Sequence, residues 1–173
     1  MECTNAIAIF GCKSTDCVKG SVSFHQCPGN EGTHVHINLY NFKPDQTHAI
    51  HIHEYGDESN GCISLGGHWN PLQSNHGSLS SYESHAGDMI NNLTSDKDGK
   101  FSYTYYDSRI KLCGNINDSI IGRSVVIHDG VDDLGLGGLH PYDAAIHKES
   151  LKTGNAGKRM ACAIIGRAKD GSI

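Results

Sequence analysis

The chain has no run of 18 apolar residues, which excludes a helix able to span a bilayer. Its first ten residues lack the basic start and long apolar stretch of a secretory leader, so a soluble, cytoplasmic chain is expected. The sequons Asn92-Leu93-Thr94 and Asn117-Asp118-Ser119 then read as chance. Basic residues are outnumbered, 14 against 19 acids, and the net charge of −5 gives no footprint for nucleic acid. Aromatics are scarce at 7%, and no amphipathic helical period persists long enough to compete with a β reading. There is no CxxC pair among the seven Cys, four of which (Cys3, Cys12, Cys17, Cys27) fall in the first 27 residues, so a zinc finger has nothing to rest on. Repeats, linkers and low-complexity tracts are missing too, and 173 residues suffice for one core but not for two ordinary ones.

What is abundant is glycine, 21 residues, and histidine, 12 residues. The glycine share is well above the usual value of roughly 7%, which favours turns over helices. Between turn signals lie short runs rich in Val, Ile, Tyr and Thr: Ala6 to Phe10, Val18 to Phe24, Thr33 to Phe42, Thr47 to His53, Gly99 to Tyr106, Ile120 to His128 and Arg159 to Gly166. Strands at this spacing indicate an antiparallel sandwich or barrel rather than βαβ units. Two segments do not fit, 54–89 and 129–158, which are Gly-rich and without strand pattern. Loops beyond about 12–15 residues in a compact domain are usually functional or disordered. These two carry most of the remaining His, so the chemistry is expected on them and on the strands that enter and leave them.

His51 and His53 sit two apart at the end of an alternating run, and both rings therefore leave one face of a strand. Alone, this pair reads equally as two polar residues on a wet face or as two nitrogens for one metal. Downstream, His68, His76 and His85 precede Asp88 within one loop, a donor set suited to tetrahedral zinc. A site with four protein donors and no open position is structural in character. His128 ends another run and can join His51 and His53 in a nitrogen-rich group of the kind that suits copper(II).

These residues lie inside longer matches. The segment His51-Ile52-His53-Glu54-Tyr55-Gly56-Asp57 resembles the copper-binding signature of copper/zinc superoxide dismutases, and Gly154 to Cys162 resembles their C-terminal signature. Gly61-Cys62, His68-Trp69-Asn70-Pro71, His76-Gly77, His85 to Asp88 and Gly122 to His128 follow in the same order and approximate spacing. The resemblance implies an all-β, eight-stranded antiparallel Greek-key barrel over residues 1–173, with a metal-binding loop at about 54–89 and an electrostatic loop at about 129–158. It implies copper on His51, His53, His68 and His128, zinc on His68, His76, His85 and Asp88, and His68 shared between them. Asp132 takes the place of the carboxylate that links His51 to His76, Arg159 that of the guanidinium receiving the anion, and Thr153 that of the residue narrowing the channel mouth. Cys62 and Cys162 match the family's intrasubunit disulfide.

The implied activity is superoxide dismutation, with Arg159 and His68 as the reacting side chains. The implied partners are superoxide, a second copy in a homodimer, and a copper chaperone, with no nucleic acid and no membrane. The alternative is a catalytically silent copper carrier or decoy. Such a relative should lack a copper donor or the arginine, and this chain lacks neither. A purely structural adhesion sandwich would leave the ligand set unexplained.

The chain departs from its relatives in two places. Residues 139–150 lengthen the second loop where guidance residues are carried, and Arg167 stands where dimers place an apolar residue. Arg167 is expected to reach solvent or an acid, or else to weaken the dimer that Ile7, Ile9, Gly56, Ile121 and Gly122 would form. His140 and His147 are expected at the surface. The other five Cys (Cys3, Cys12, Cys17, Cys27 and Cys113) are expected as small hydrophobes or surface thiols, with a Cys12–Cys17 pair left open.

Overall fold

The computed structural model describes residues 4–11, 17–115 and 117–169. It contains β1 (Thr4–Phe10), β2 (Lys19–Gln26), β3 (Thr33–Tyr40), β4 (Thr47–His53), β5 (Ser59–Cys62), β6 (Asn92–Thr94), β7 (Lys100–Asp107), β8 (Ser124–His128), α1 (Ala144–Thr153) and β9 (Arg159–Arg167). All of these strands except β5 join one antiparallel sheet in the order β6-β4-β8-β9-β1-β2-β3-β7, curled into a nearly closed barrel. The jumps from β3 to β4 and from β7 to β8 give the Greek-key crossovers. The fold class implied by the sequence is therefore present. No helix among the described residues is long and apolar enough to cross a membrane.

Alternation explains which side of each strand is apolar. In β3, Thr33, Val35, Ile37 and Leu39 are buried while His34, His36, Asn38 and Tyr40 are exposed. In β4 and β8 burial no longer alternates, because loops cover the outer face. Ile50, Ile52, Val125 and Ile127 join the barrel core, and His51, His53 and His128 leave the opposite face. A register shift between Ile127 and His128 sets His128 opposite Arg159 of β9.

Several expectations need correction. The second loop carries a helix, α1, for which the sequence offered no periodic signal. Asp143 caps it by accepting from the Ala145 and Ile146 N–H groups, and Gly154 ends it in the left-handed region at φ 63°. Only Ser150 of this helix is buried, so its start and stop residues, not an apolar stripe, define it. The expected strand from 120 begins only at Ser124, because Ile120 to Arg123 form a turn with Gly122 at φ 88°. β5 is polar and β6 offers one core residue, Leu93, in three, so pattern alone does not reveal either short strand.

The implied Cys62–Cys162 disulfide is present and joins residues 100 apart in sequence. Cys17 and Cys27 are each disulfide-bonded, which departs from the expectation of a plain hydrophobe or thiol for Cys27 and from the main expectation for Cys17. Cys113 is an exposed free thiol, whereas Cys3 and Cys12, and with them a Cys12–Cys17 pair, lie outside the described residues. Because the Cys62–Cys162 bond closes so long a loop in the unfolded chain, Cys62→Ser is expected to lower stability by roughly 2–4 kcal/mol. Denaturant unfolding under oxidising conditions measures this, and an unchanged midpoint would show that the bond does not stabilise the fold.

Candidate metal centre

The metal loop returns along the end of β4. Trp69 N–H donates to Ile52 O at 2.8 Å and Glu54 N–H to Gly67 O at 2.9 Å, and His53 and His68 form an isolated bridge. That pairing places His68 beside the two strand histidines, its ring centroid 4.0 Å from that of His51. His51, His53, His68 and His128 offer donor atoms that lie within 4.8 Å of one another, and so do His68, His76, His85 and Asp88. His68 belongs to both groups. Its Nδ1 stands 3.0 Å from Asp88 Oδ1 and 3.3 Å from His85 Nδ1, which leaves Nε2 for the first group.

The protons in this cluster test whether cations fit. His53 donates Nδ1–H to Gly66 O at 2.9 Å and His128 donates Nδ1–H to Gly157 O at 3.2 Å. Their Nε2 atoms face each other at 3.3 Å with lone pairs opposed. His51 gives its Nε2–H to Asp132 Oδ2 at 2.6 Å, and its Nδ1 is buried without a partner. Three imidazole lone pairs thus converge on a point that holds no donor, an arrangement a cation satisfies.

In the second group, Asp88 Oδ1 lies 3.0, 2.8 and 3.0 Å from the Nδ1 atoms of His68, His76 and His85. Donors on a zinc tetrahedron with bonds of about 2.0–2.1 Å stand about 3.3 Å apart, so the set needs only slight expansion. Asp88 Oδ2 is fixed by the Gly77 and His85 N–H groups at 3.1 and 2.7 Å.

Burial and hydrogen bonds set different charge states within the cluster. Burial pushes His51, His53 and His68 below the ordinary 6.5, and it lowers His128 to about 4 with help from His51. These rings are neutral at pH 7, as copper coordination requires. His76 behaves differently: burial opposes its charge, yet hydrogen bonds to Asp132 and Asp88 raise it to about 9. Burial also works against Asp88 and Asp132, but the surrounding imidazoles hold both carboxyls well below the usual range. The two buried carboxylates meet on the charged His76 ring, and a metal dication can take the place of its proton.

Asp132 joins the two groups, accepting from His51 on one oxygen and from His76 Nε2 on the other at 2.9 Å. Sequence reading missed the residues that hold it. Asn91 Nδ2 donates to its Oδ2 at 3.2 Å, while Asn92 accepts its backbone N–H at 2.8 Å and donates to its carbonyl at 3.0 Å. Two consecutive asparagines at the start of a short strand are the only signal, and turn propensity explains them equally well. Gly154 is required beside this carboxylate, since a Cβ there would strike Asp132 Oδ1 and lie 2.6 Å from His76 Nε2.

Arg159 stands at the mouth of the first group. Its Nη1 donates to Cys62 O at 2.6 Å and Ile63 O at 3.0 Å, and Nη2 donates to Gly66 O, the carbonyl that also accepts from His53. Three of its five N–H donors are thus committed, and Nε and one Nη2 hydrogen remain for an anion. Arg159, His53, His68, His128, Lys148, Lys152 and Thr153 line a cleft of about 790 Å³. Thr153 is itself held by donating its hydroxyl to Glu149 O at 3.0 Å. His140 is exposed, whereas His147 is half-buried and tied to Gly137 O at 3.0 Å.

The family model described as copper/zinc superoxide dismutase matches residues 18–165. The chain belongs to that family. It is 45% identical over 153 residues to a copper–zinc superoxide dismutase of Paramecium bursaria Chlorella virus 1, covering 88% of this chain and 75% of the relative. The corresponding protein of Saccharomyces cerevisiae is 44% identical, with 86% and 90% covered, and an extracellular superoxide dismutase of Drosophila melanogaster is 44% identical, with 86% and 76% covered. Among solved structures, one described as the clock protein EA4 superposes with a TM-score of 0.81 at 35% identity, covering 97% of each chain.

Proposed function

We propose that the chain dismutes superoxide, turning two superoxide anions and two protons into O₂ and H₂O₂, with copper on His51, His53, His68 and His128 and zinc on His68, His76, His85 and Asp88. The observation that carries this reading is the shared His68, whose two nitrogens serve two four-donor groups beside Arg159 and its open cleft. Copper supplies the alternate one-electron oxidation and reduction of superoxide, and zinc supplies a second positive charge and a fixed loop. The protein's own side chains do the rest. Arg159 binds the anion through its free N–H donors, its position fixed by the carbonyls of Cys62, Ile63 and Gly66. His68 Nε2 is the ring nitrogen placed to hold a proton for the peroxide product. Asp132 keeps the His51 and His76 rings in one tautomer.

A net charge of −5 repels superoxide at long range, so attraction depends on local focusing in the cleft. A silent relative should lack a copper donor or the arginine, and this sequence carries His51, His53, His68, His128 and Arg159. Reconstituted protein is expected to hold about one copper and one zinc per chain and to lose activity on chelation. Metal analysis paired with a superoxide assay checks this. A single metal per chain, or full loading without turnover, would refute the reading.

Residues 1–173 are read as one domain carrying both loops. The face with half-buried Ile7, Ile121 and Gly56, Ile9 at 69% exposure and exposed Gly122 is the homodimer surface, and the exposed Arg167 reaches solvent at its rim. A monomeric mass in solution at working concentration would remove this contact. A copper chaperone is the partner that copper delivery implies. The bonded state of Cys17 and Cys27, added to Cys62–Cys162, points away from the expected cytoplasmic setting and towards an oxidising compartment. Thiol titration of the native protein tests this, with Cys113 expected to react and Cys17 and Cys27 expected not to.

A further inference from the structure

Arg109 lies outside both donor groups, two residues beyond β7, yet it reaches into the metal loop. All five of its N–H donors are used. Nε donates to Asp107 Oδ1 at 2.9 Å, Nη2 to Asp107 Oδ2 at 2.8 Å and to Met89 O at 3.1 Å, and Nη1 to Ser84 Oγ at 2.7 Å and to His85 O at 3.1 Å. Asp107 is 1% exposed, so a buried carboxylate orients the fork from behind.

The carbonyls it grips are those of His85 and Met89, which bracket the 3-10 turn Ala86–Asp88. His85 caps the start of that turn and Asp88 is its last residue, with His85 Nδ1 and Asp88 Oδ1 3.0 Å apart. Met89 closes the turn at φ 50° and ψ −131°, a backbone conformation disfavoured for a residue with a side chain and one that persists only where the surroundings impose it. The Nη2 bond to Met89 O restrains that conformation from the barrel side.

We infer that Arg109 is a positioning residue for zinc: one guanidinium, backed by Asp107, fixes both ends of the turn that presents His85 and Asp88. The inference rests on the zinc reading of that donor set. It touches no residue that belongs to the copper group alone, so its effect is selective between the two metals.

Arg109→Lys keeps a cation beside Asp107 but loses the planar fork that holds several acceptors at once. Zinc affinity, measured by competition with a chromophoric chelator, is expected to fall about 10- to 100-fold, the usual cost of losing a partner that orients metal ligands. The absorption of cobalt(II) bound in place of zinc is expected to change, while copper affinity stays at the parent value. A variant with parent-like zinc affinity and cobalt spectrum, even if its metal-free form melts lower, would overturn the inference and leave Arg109 a fold clamp only. Should Arg109→Lys fail to fold, Ser84→Ala removes one acceptor and leaves the ion pair. A smaller loss of zinc affinity supports the inference, and parent-like affinity overturns it. A parent protein that takes up no zinc at this set overturns the site reading and the inference together, a result distinct from a variant that binds as the parent does.

Discussion

Replacing His128 with Ala is expected to abolish dismutation while leaving a folded barrel that still takes up zinc. The ring supplies Nε2 opposite His53 Nε2 at 3.3 Å, and its loss leaves the copper group with three nitrogens and an opening. Copper affinity should drop by more than the ~10–100-fold that changes in outlying partners cost, because a donor itself is gone. The backbone at this position keeps its roles: pairing with Arg159 across β8 and β9 is a main-chain matter, and His48 Nδ1 donates to the His128 carbonyl at 3.0 Å rather than to its ring. The zinc group shares only His68 with the copper group, so its four donors survive the change. Metal analysis and a superoxide assay on one preparation decide the matter. Loss of zinc with copper retained would show that the donors are divided differently, and turnover near the parent rate would show that His128 is not a copper ligand.

The barrel was legible because its strands alternate. Val35, Ile37 and Leu39 sit between His34, His36 and Asn38, and that period fixes both the strand and its buried face. His51 and His53 were legible for the same reason, with the period of two putting both rings on one side. Neighbouring histidines in a long loop carried the second donor set, since spacing within one loop limits how far apart the side chains can fall. What escaped notice is held by single hydrogen bonds or by distant partners. α1 depends on an Asp143 cap and a Gly154 stop, with one buried residue, so no periodicity announces it. Asn91, Asn92 and Arg109 act through carbonyls and carboxylates 20 to 41 residues away, and such contacts leave no pattern in a local window. The bonded state of Cys17 and of Cys27 escaped because spacing alone does not tell a thiol from half of a disulfide.

Arg159→Ala is expected to lower kcat/KM by about 10- to 100-fold with copper and zinc contents intact, inside the ~10–10³ range over which a focusing charge raises encounter rates. The guanidinium is anchored by three carbonyls of the loop that Cys62–Cys162 ties down, so its remaining N–H donors are fixed towards the cleft before an anion arrives. It donates to no metal ligand, which separates its removal from metal loss. Two trends follow from a charge that acts through space. The parent rate should fall as salt rises, because ions shorten the reach of local positive potential to about 8–10 Å near physiological strength. The Ala variant should show a flatter dependence. Arg159→Lys should recover part of the rate, since a point charge still attracts, but not the forked contact. The cleft also holds Lys148 and Lys152 one helical turn apart on α1, so they present two cations on the same side of the helix. An Arg159→Ala protein with parent activity and an unchanged salt profile would therefore move the guidance from β9 to that helix. The double substitution Lys148→Ala and Lys152→Ala would then flatten the salt dependence in its place.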